Sequence, residues 1–323
     1  MAAYKGIQGY SVQKLSSDPG TLGNVKGQLW YNSASGKFKI GTIGAGAWAS
    51  GGDLNTQKTG CRGSGTVTAG LVTMDSTPIS GPTELYDGTS WTEVTDLTTG
   101  RYAGSVFGTQ TATVCATGGT PNGVANVEIW NGTGWTETTD VTTPRRFDFG
   151  VGTTTAGMIY GGQNGGYLGN CEQWNGVGWT EVADLNYPRA SMGGAGTTTA
   201  AIAFGGYPPA SGSPNLAMED WDGTSWTQGV DLNGFNYNPG AAGNATAAIK
   251  IGGGGGTTTQ VETYNGSSWT EVAALTNGID DGAGLGNDGS TTALIAGGNA
   301  PHPGVLVEEW NSAPATAKVV TVS

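Results

Sequence analysis

The feature that most constrains this chain is a repeat. Residues 144–179 read PRRFDFGVGTTTAGMIYGGQNGGYLGNCEQWNGVGW, and the chain is close to six copies of that wording. A tryptophan recurs at Trp48, Trp91, Trp135, Trp179, Trp226 and Trp269, spaced 43 to 47 residues apart. A Glu-x-(Trp/Tyr)-(Asn/Asp) element recurs at Glu84, Glu128, Glu172, Glu219, Glu262 and Glu308. A double glycine recurs at Gly118-Gly119, Gly161-Gly162, Gly205-Gly206, Gly252-Gly253 and Gly297-Gly298, with Asp75-Ser76 in its place in the first copy. A fixed period of roughly 40–50 residues is the signature of a β-propeller.

Each copy divides into four short strands. The first follows the arginine, as at 145–152. The second is the apolar run before the double glycine, as at 155–160 or 199–204. The third is the Glu-x-Trp element at 172–174, and the fourth runs from the tryptophan, as at 179–185. Asn-Gly and Asp-Gly pairs supply the positive φ needed between the third and fourth strands. No window holds a helical period. The expectation is an all-β chain with a six-bladed β-propeller over 47–311. Trp48 opens a fourth strand that precedes any first strand, and the last copy lacks one after Glu308. The N-terminal strand is therefore expected to complete the last blade and remove an open edge.

The repeat resembles the kelch repeat. The matching residues are Pro144-Arg145, Ile159-Tyr160-Gly161-Gly162, Glu172-Gln173-Trp174-Asn175 and Trp179, and the first copy has the more usual Glu84-Leu85-Tyr86-Asp87. The resemblance covers residues 47–311 and implies a kelch-like propeller. It carries no function with it, because one fold hosts many.

Comparison between copies suggests a further pattern. Asp53, Asp96, Asp140, Asp184 and Asp231 close the fourth strands, and Ala274 stands in the sixth place. Five residues later come Lys58, Arg101, Arg145, Arg189, Asn236 and Ile279. This spacing predicts an acid–base bridge within each connection from a fourth strand to the next first strand. The tryptophans, one per copy, are expected to pack between blades rather than to stack on sugars.

The 323 residues carry thirteen basic and twenty-five acidic side chains, a net charge of −12. Such a balance argues against a nucleic-acid partner. Cys61, Cys115 and Cys171 fall at non-equivalent repeat positions and read as buried thiols rather than a disulfide framework. No run of eighteen apolar residues is present and the N-terminal wording lacks an apolar core, so neither membrane insertion nor an ordinary signal peptide is expected.

Residues 1–46 precede the propeller. The stretch GQLWYNSASGKFKIG at 27–41 predicts a β-hairpin of two alternating strands around a Ser-Ala-Ser-Gly turn. It resembles a short module of bacteriophage tail-fibre and other virion proteins through Gly27, Leu29, Trp30, Tyr31, Asn32, Gly36, Lys37, Lys39 and Trp48. That resemblance implies a docking role, with Trp30, Tyr31, Lys37 and Phe38 as the docking residues. The tail, 312–323, has strand character and is expected to pair with this module or with a neighbouring subunit.

No catalytic constellation is legible. The single histidine, His302, lies between two prolines and cannot build a histidine metal cluster or a triad. The glycine run at 252–256 lacks the Gly-Lys-Ser/Thr of a phosphate loop. Asp280, Asp281, Asn287 and Asp288 lack the spacing of an EF-hand. No cofactor or metal is expected. The loops between second and third strands vary in length and wording, whereas the opposite turns are monotonous. The variable side is the expected binding face, with Tyr167, Tyr207, Pro208, Pro209 and His302 on it.

The role that fits these features first is a non-enzymatic virion structural protein of a bacteriophage, decorating the capsid or belonging to the tail or its fibre. Its localisation would be the virion, after synthesis in the host cytoplasm. Its partners would be other virion proteins, a host-surface glycan and further copies of the chain in a homo-oligomer. A soluble carbohydrate-binding propeller lectin is the alternative, and a propeller-fold enzyme acting on sugars the second alternative.

Overall fold

Alternating apolar residues punctuated by Asn-Gly, Asp-Gly and Gly-Gly pairs dictate consecutive hairpins, and the computed structural model shows what they build. It describes residues 12–17, 29–43, 46–207, 216–234, 236–254, 258–286, 289–299, 304–312 and 315–319. The chain forms two compact units, one of residues 1–47 with 312–323 and one of residues 48–311.

The larger unit is a succession of four-stranded antiparallel sheets, one per copy of the repeat. The third copy illustrates them: Phe149–Thr153, Ala156–Tyr160, Cys171–Trp174 and Trp179–Val182, paired in that order. The last sheet is completed from the N-terminal side, by Ala47–Ser50 beside Val307–Asn311. First strands of successive sheets adjoin one another, and Ala283–Leu285 adjoins Arg62–Thr66, so the row closes on itself. This arrangement fits a β-propeller.

Each sheet carries the same aromatic pair. The third-strand ring packs on the fourth-strand tryptophan, at 4.7 Å for Tyr86–Trp91, 5.6 Å for Trp130–Trp135 and 5.3 Å for Trp174–Trp179. Trp310–Trp48, at 5.6 Å, joins the N-terminal strand to the last sheet in the same way. The fourth-strand indoles also reach into the preceding copy. Trp135 Nε1 donates to Thr83 Oγ1 at 3.1 Å, Trp91 Nε1 to the Gly52 carbonyl at 2.8 Å and Trp48 Nε1 to that of Ala273 at 3.0 Å. Burial on this scale is the main source of stability between sheets. Glycine permits the close approach: a Cβ on Gly157 would lie 2.2 Å from the Phe107 ring of the neighbouring sheet.

The expected acid–base bridge is not the one that forms. Asp53, Asp96, Asp140, Asp184 and Asp231 are exposed, while Lys58, Arg101, Arg145 and Arg189 are fully buried against the third-strand glutamates. Lys58–Glu84 and Arg101–Glu128 are 2.8 Å apart, Arg145–Glu172 2.5 Å and Arg189–Glu219 3.3 Å. The same glutamates accept backbone N–H groups from the connection entering their sheet. Glu172 takes those of Thr142 at 2.7 Å and Thr143 at 3.2 Å. Each glutamate is thus a latch between a connection and the sheet it leads into. In the fifth copy Asn236 replaces the arginine, and Lys250 on the second strand faces Glu262 instead. Burial lowers the Lys250 pKa to about 8 against the pull of Glu262. In the sixth copy Ile279 takes the place, and Glu308 is half-buried.

Two registers also differ from expectation. First strands begin later, at Phe149 rather than Arg145, because Phe147 adopts a left-handed backbone with φ 57°. In the second copy the structural equivalents of Gly161-Gly162 are Thr117-Gly118, with φ of 62° and 118°, not Gly118-Gly119. In the first copy Met74-Asp75 stand there, Met74 with φ 74°.

In the smaller unit the hairpin forms from Leu29–Asn32 and Lys37–Ile43. Gln13–Leu15 pairs parallel with the first of these strands, and Ala315–Val319 pairs antiparallel with the second. The tail therefore belongs to the N-terminal sheet.

Candidate functional site

The loop face is built at the corner where each connection becomes a first strand. The residue after the latch position pairs with the residue after the glycine corner: Tyr102 with Gly119, Arg146 with Gln163, Ala190 with Tyr207 and Asp280 with Asn299. The connection entering each sheet and the loop between its second and third strands thus share one face. The next residue is left-handed in every copy, with φ of 63° at Gly60, 51° at Ala103, 57° at Phe147, 58° at Ser191, 51° at Asn238 and 58° at Asp281. Their backbones join head to tail. Ala103 N donates to Gly60 O at 2.8 Å, Phe147 N to Ala103 O at 2.5 Å and Ser191 N to Phe147 O at 2.8 Å. Asn238 N then donates to Ser191 O at 2.8 Å, and Asp281 N to Asn238 O at 3.0 Å. At the closing step, between the sixth and first copies, an Arg62–Asp281 ion pair of 2.8 Å stands. Non-glycine residues in this conformation are strained, and the repeated bond is what holds them there.

The first strands enclose a channel. Its wider part, about 260 Å³, is lined by Phe107, Phe149, Val151, Leu285 and many glycines. Toward the loop face lies a second, smaller cavity of about 30 Å³ beside Arg62, Ser105 and Asp148. Asp148 is buried without an ion-pair partner among the described residues. It accepts Ser105 Oγ at 2.8 Å and Thr117 Oγ1 at 2.8 and 2.9 Å. Burial raises its pKa, partly opposed by Arg145 and these hydroxyls. The bonds to Asp148 hold Thr117 in the left-handed corner that Gly161, Gly205, Gly252 and Gly297 fill in four other copies.

Around this mouth lies an arc of aromatic side chains. Tyr102 and Phe147 meet edge to face at 5.9 Å. The Arg146 guanidinium lies 5.8 Å from the first ring centre and 5.2 Å from the second, and its Nη1 donates to the Tyr102 hydroxyl and the Pro121 carbonyl. Arg146 pairs through its backbone with Gln163, and Gln163 pairs with Tyr167. Tyr207 packs on Tyr237 with ring centres 4.4 Å apart and planes inclined at 38°. Burial, a hydrogen bond with Tyr237 and the nearby Asp280 and Tyr167 raise the Tyr207 pKa.

Of the residues expected on the binding face, Tyr167 and Tyr207 lie on it and are half-buried, whereas Pro208, Pro209 and His302 fall outside the described residues. Of the expected docking residues, Tyr31 and Phe38 pack across the hairpin at 5.2 Å and Lys37 is exposed. Trp30 is only 2% exposed, too buried for a surface contact. Sequence reasoning missed Tyr102, Arg146 and Tyr237. Their repeat position reads Thr59, Tyr102, Arg146, Ala190, Tyr237 and Asp280, and the position after it varies as widely, so no repeated wording marks them.

The three cysteines are buried thiols, and burial raises their pKa to about 11 at Cys61 and Cys115 and about 12 at Cys171. Such thiols are poor nucleophiles. Among the described residues no three His, Cys, Asp or Glu side chains come together as a ligand set, and no helix is long and apolar enough to cross a membrane.

No protein-family model matches the chain. No curated protein matches it either. Among solved structures it is similar to that of YjhT, at 12% identity, over 82% of this chain and 99% of that one, with a TM-score of 0.66. The chain has a β-propeller fold. At that identity the likeness shows fold alone.

Proposed function

We propose that this chain is a non-enzymatic structural protein of a bacteriophage particle, in which a six-bladed kelch-like propeller presents its loop face and the smaller unit docks it. The observation that carries the reading is how the propeller uses its charge. Glutamate and cation are buried in repeated latches that stiffen the connections, while one position per copy varies freely at the mouth. A rigid scaffold with variable loops suits recognition. The docking role is supported by the sheet that gathers the N-terminal hairpin and the C-terminal strand. The sequence of that unit counts six lysines, Lys5, Lys14, Lys26, Lys37, Lys39 and Lys318, against a single acid, Asp18. Other virion proteins are its proposed partners, and a host-surface glycan is the proposed contact of the loop face.

Immunogold labelling of purified particles with antibody against the propeller tests this. Label at a fixed capsid or tail position is the expected result. Unlabelled particles with the protein free in the lysate would overturn it in favour of a soluble lectin.

A further inference from the structure

The propeller's cations are distributed unevenly. Residues 48–311 contain seven: Lys58, Arg62, Arg101, Arg145, Arg146, Arg189 and Lys250. Five of these have no exposed surface, and Arg62 is paired with Asp281. Arg146 is the one cation of the described propeller that is neither fully buried nor ion-paired. The exposed charges around the circumference are carboxylates, such as Glu93, Asp96, Glu137 and Asp140.

Arg146 is also held in place. Nη1 is fixed by the Tyr102 hydroxyl and the Pro121 carbonyl, and the guanidinium plane rests near two aromatic rings. A guanidinium ordered in this way loses little side-chain entropy on binding, and its remaining N–H groups form a planar fork suited to an oxyanion. Backbone bridges lead from Arg146 to Gln163 and from Gln163 to Tyr167, and Tyr207, near enough to Tyr167 to feel its charge, packs on Tyr237. Tyrosines offer an apolar face for sugar C–H groups and a hydroxyl for sugar oxygens.

We propose that this arc binds an acidic sugar residue, with its carboxylate or sulfate on Arg146 and its ring against the tyrosines. The inference rests on the loop face being the presenting surface. It adds the ligand's chemistry: one anionic group, placed by one cation on a face whose surroundings repel negative charge. That repulsion sets the register of the bound chain, since its acid is favoured at a single point.

The test uses the full-length protein against immobilised oligosaccharides: uronic-acid chains, sulfated chains, and carboxyl-reduced or desulfated versions of each. Binding to the acidic probes is expected to fall at least about tenfold with Arg146→Gln, and similarly on carboxyl reduction or desulfation of the probe. Arg146→Lys should recover part of it. Uronic-acid and sulfated arms distinguish the two sources of the anion. Because the reduced probes alter the ligand and not the protein, misfolding of a variant does not blur the result. Equal binding of neutral and acidic probes would overturn the inference and leave the display role standing. So would no sugar binding at all in a protein that immunogold labelling places on particles.

Discussion

The latch at Arg145 and Glu172 allows the most direct test of how this propeller is held. Both side chains are essentially fully buried and lie 2.5 Å apart. Arg145 also donates to the carbonyls of Asn170 at 2.6 Å, Thr143 at 3.1 Å and Gly161 at 3.2 Å. Arg145→Met fills most of the volume but leaves the buried Glu172 carboxylate without its counter-charge and takes one donor from each of three carbonyls. Removing one partner of a buried pair costs about 3–5 kcal/mol. For a unit this size that lowers the melting temperature by roughly 6–20 °C. Glu172→Gln should cost a comparable amount, because Thr142 and Thr143 bond different carboxylate oxygens, so one N–H meets the amide NH2, and Arg145 is left buried without its counter-charge. The double variant Arg145→Met with Glu172→Gln should lose clearly less than the two single losses together, since no unpaired charge remains. The sixth copy is the internal control: Ile279 stands at the cation position and Glu308 is half-buried, so Glu308→Gln should change stability by less than about 1 kcal/mol. Urea denaturation followed by tryptophan fluorescence measures all four. A loss below about 1 kcal/mol for Arg145→Met, or strict additivity in the double variant, would refute the latch.

Trp135 is 9% exposed and hydrogen-bonded into the preceding copy, so Trp135→Ala should cost about 3–5 kcal/mol. Trp179 is only half-buried, and Trp179→Ala should cost less; calorimetry giving the opposite order would sink the packing argument. Asp148 has a raised pKa in the folded state, so folding favours its protonated form, and stability from this group grows as pH falls from the folded toward the unfolded pKa. Asp148→Asn should therefore be no less stable than the parent at pH 7, with any advantage shrinking toward pH 4. A marked loss at pH 7 would show that the ionised carboxylate is needed to hold Ser105 and Thr117.

The mismatch between the expected and observed ion pairs shows where sequence reading fails. Five-residue spacing between Asp140 and Arg145 looked like a local bridge, and the joint loss at Ala274 and Ile279 strengthened it. In the fold the left-handed corner at Phe147 turns the connection over the sheet, and Arg145 points inward to Glu172, twenty-seven residues away in sequence. The move of the cation to Lys250 in the fifth copy makes sense only once Lys250 and Glu262 are seen in register. The corner itself was hidden, because glycine marks it in the first copy alone. Ala103, Phe147 and Ser191 give no local sign of positive φ; a bond from the neighbouring copy imposes it.

The sequence by itself determined the repeat, its four strands, the tryptophan that recurs in each copy and the need for Trp48 to complete the last sheet. These follow from local periodicity and turn chemistry, which each copy states again in its own residues. Only the tertiary structure decided which glutamate takes which cation, that the tail joins the N-terminal hairpin, and that Arg146 stands apart from every other cation of the propeller. Those outcomes depend on burial and direction across copies, and side-chain burial is set by neighbours that lie far away along the chain.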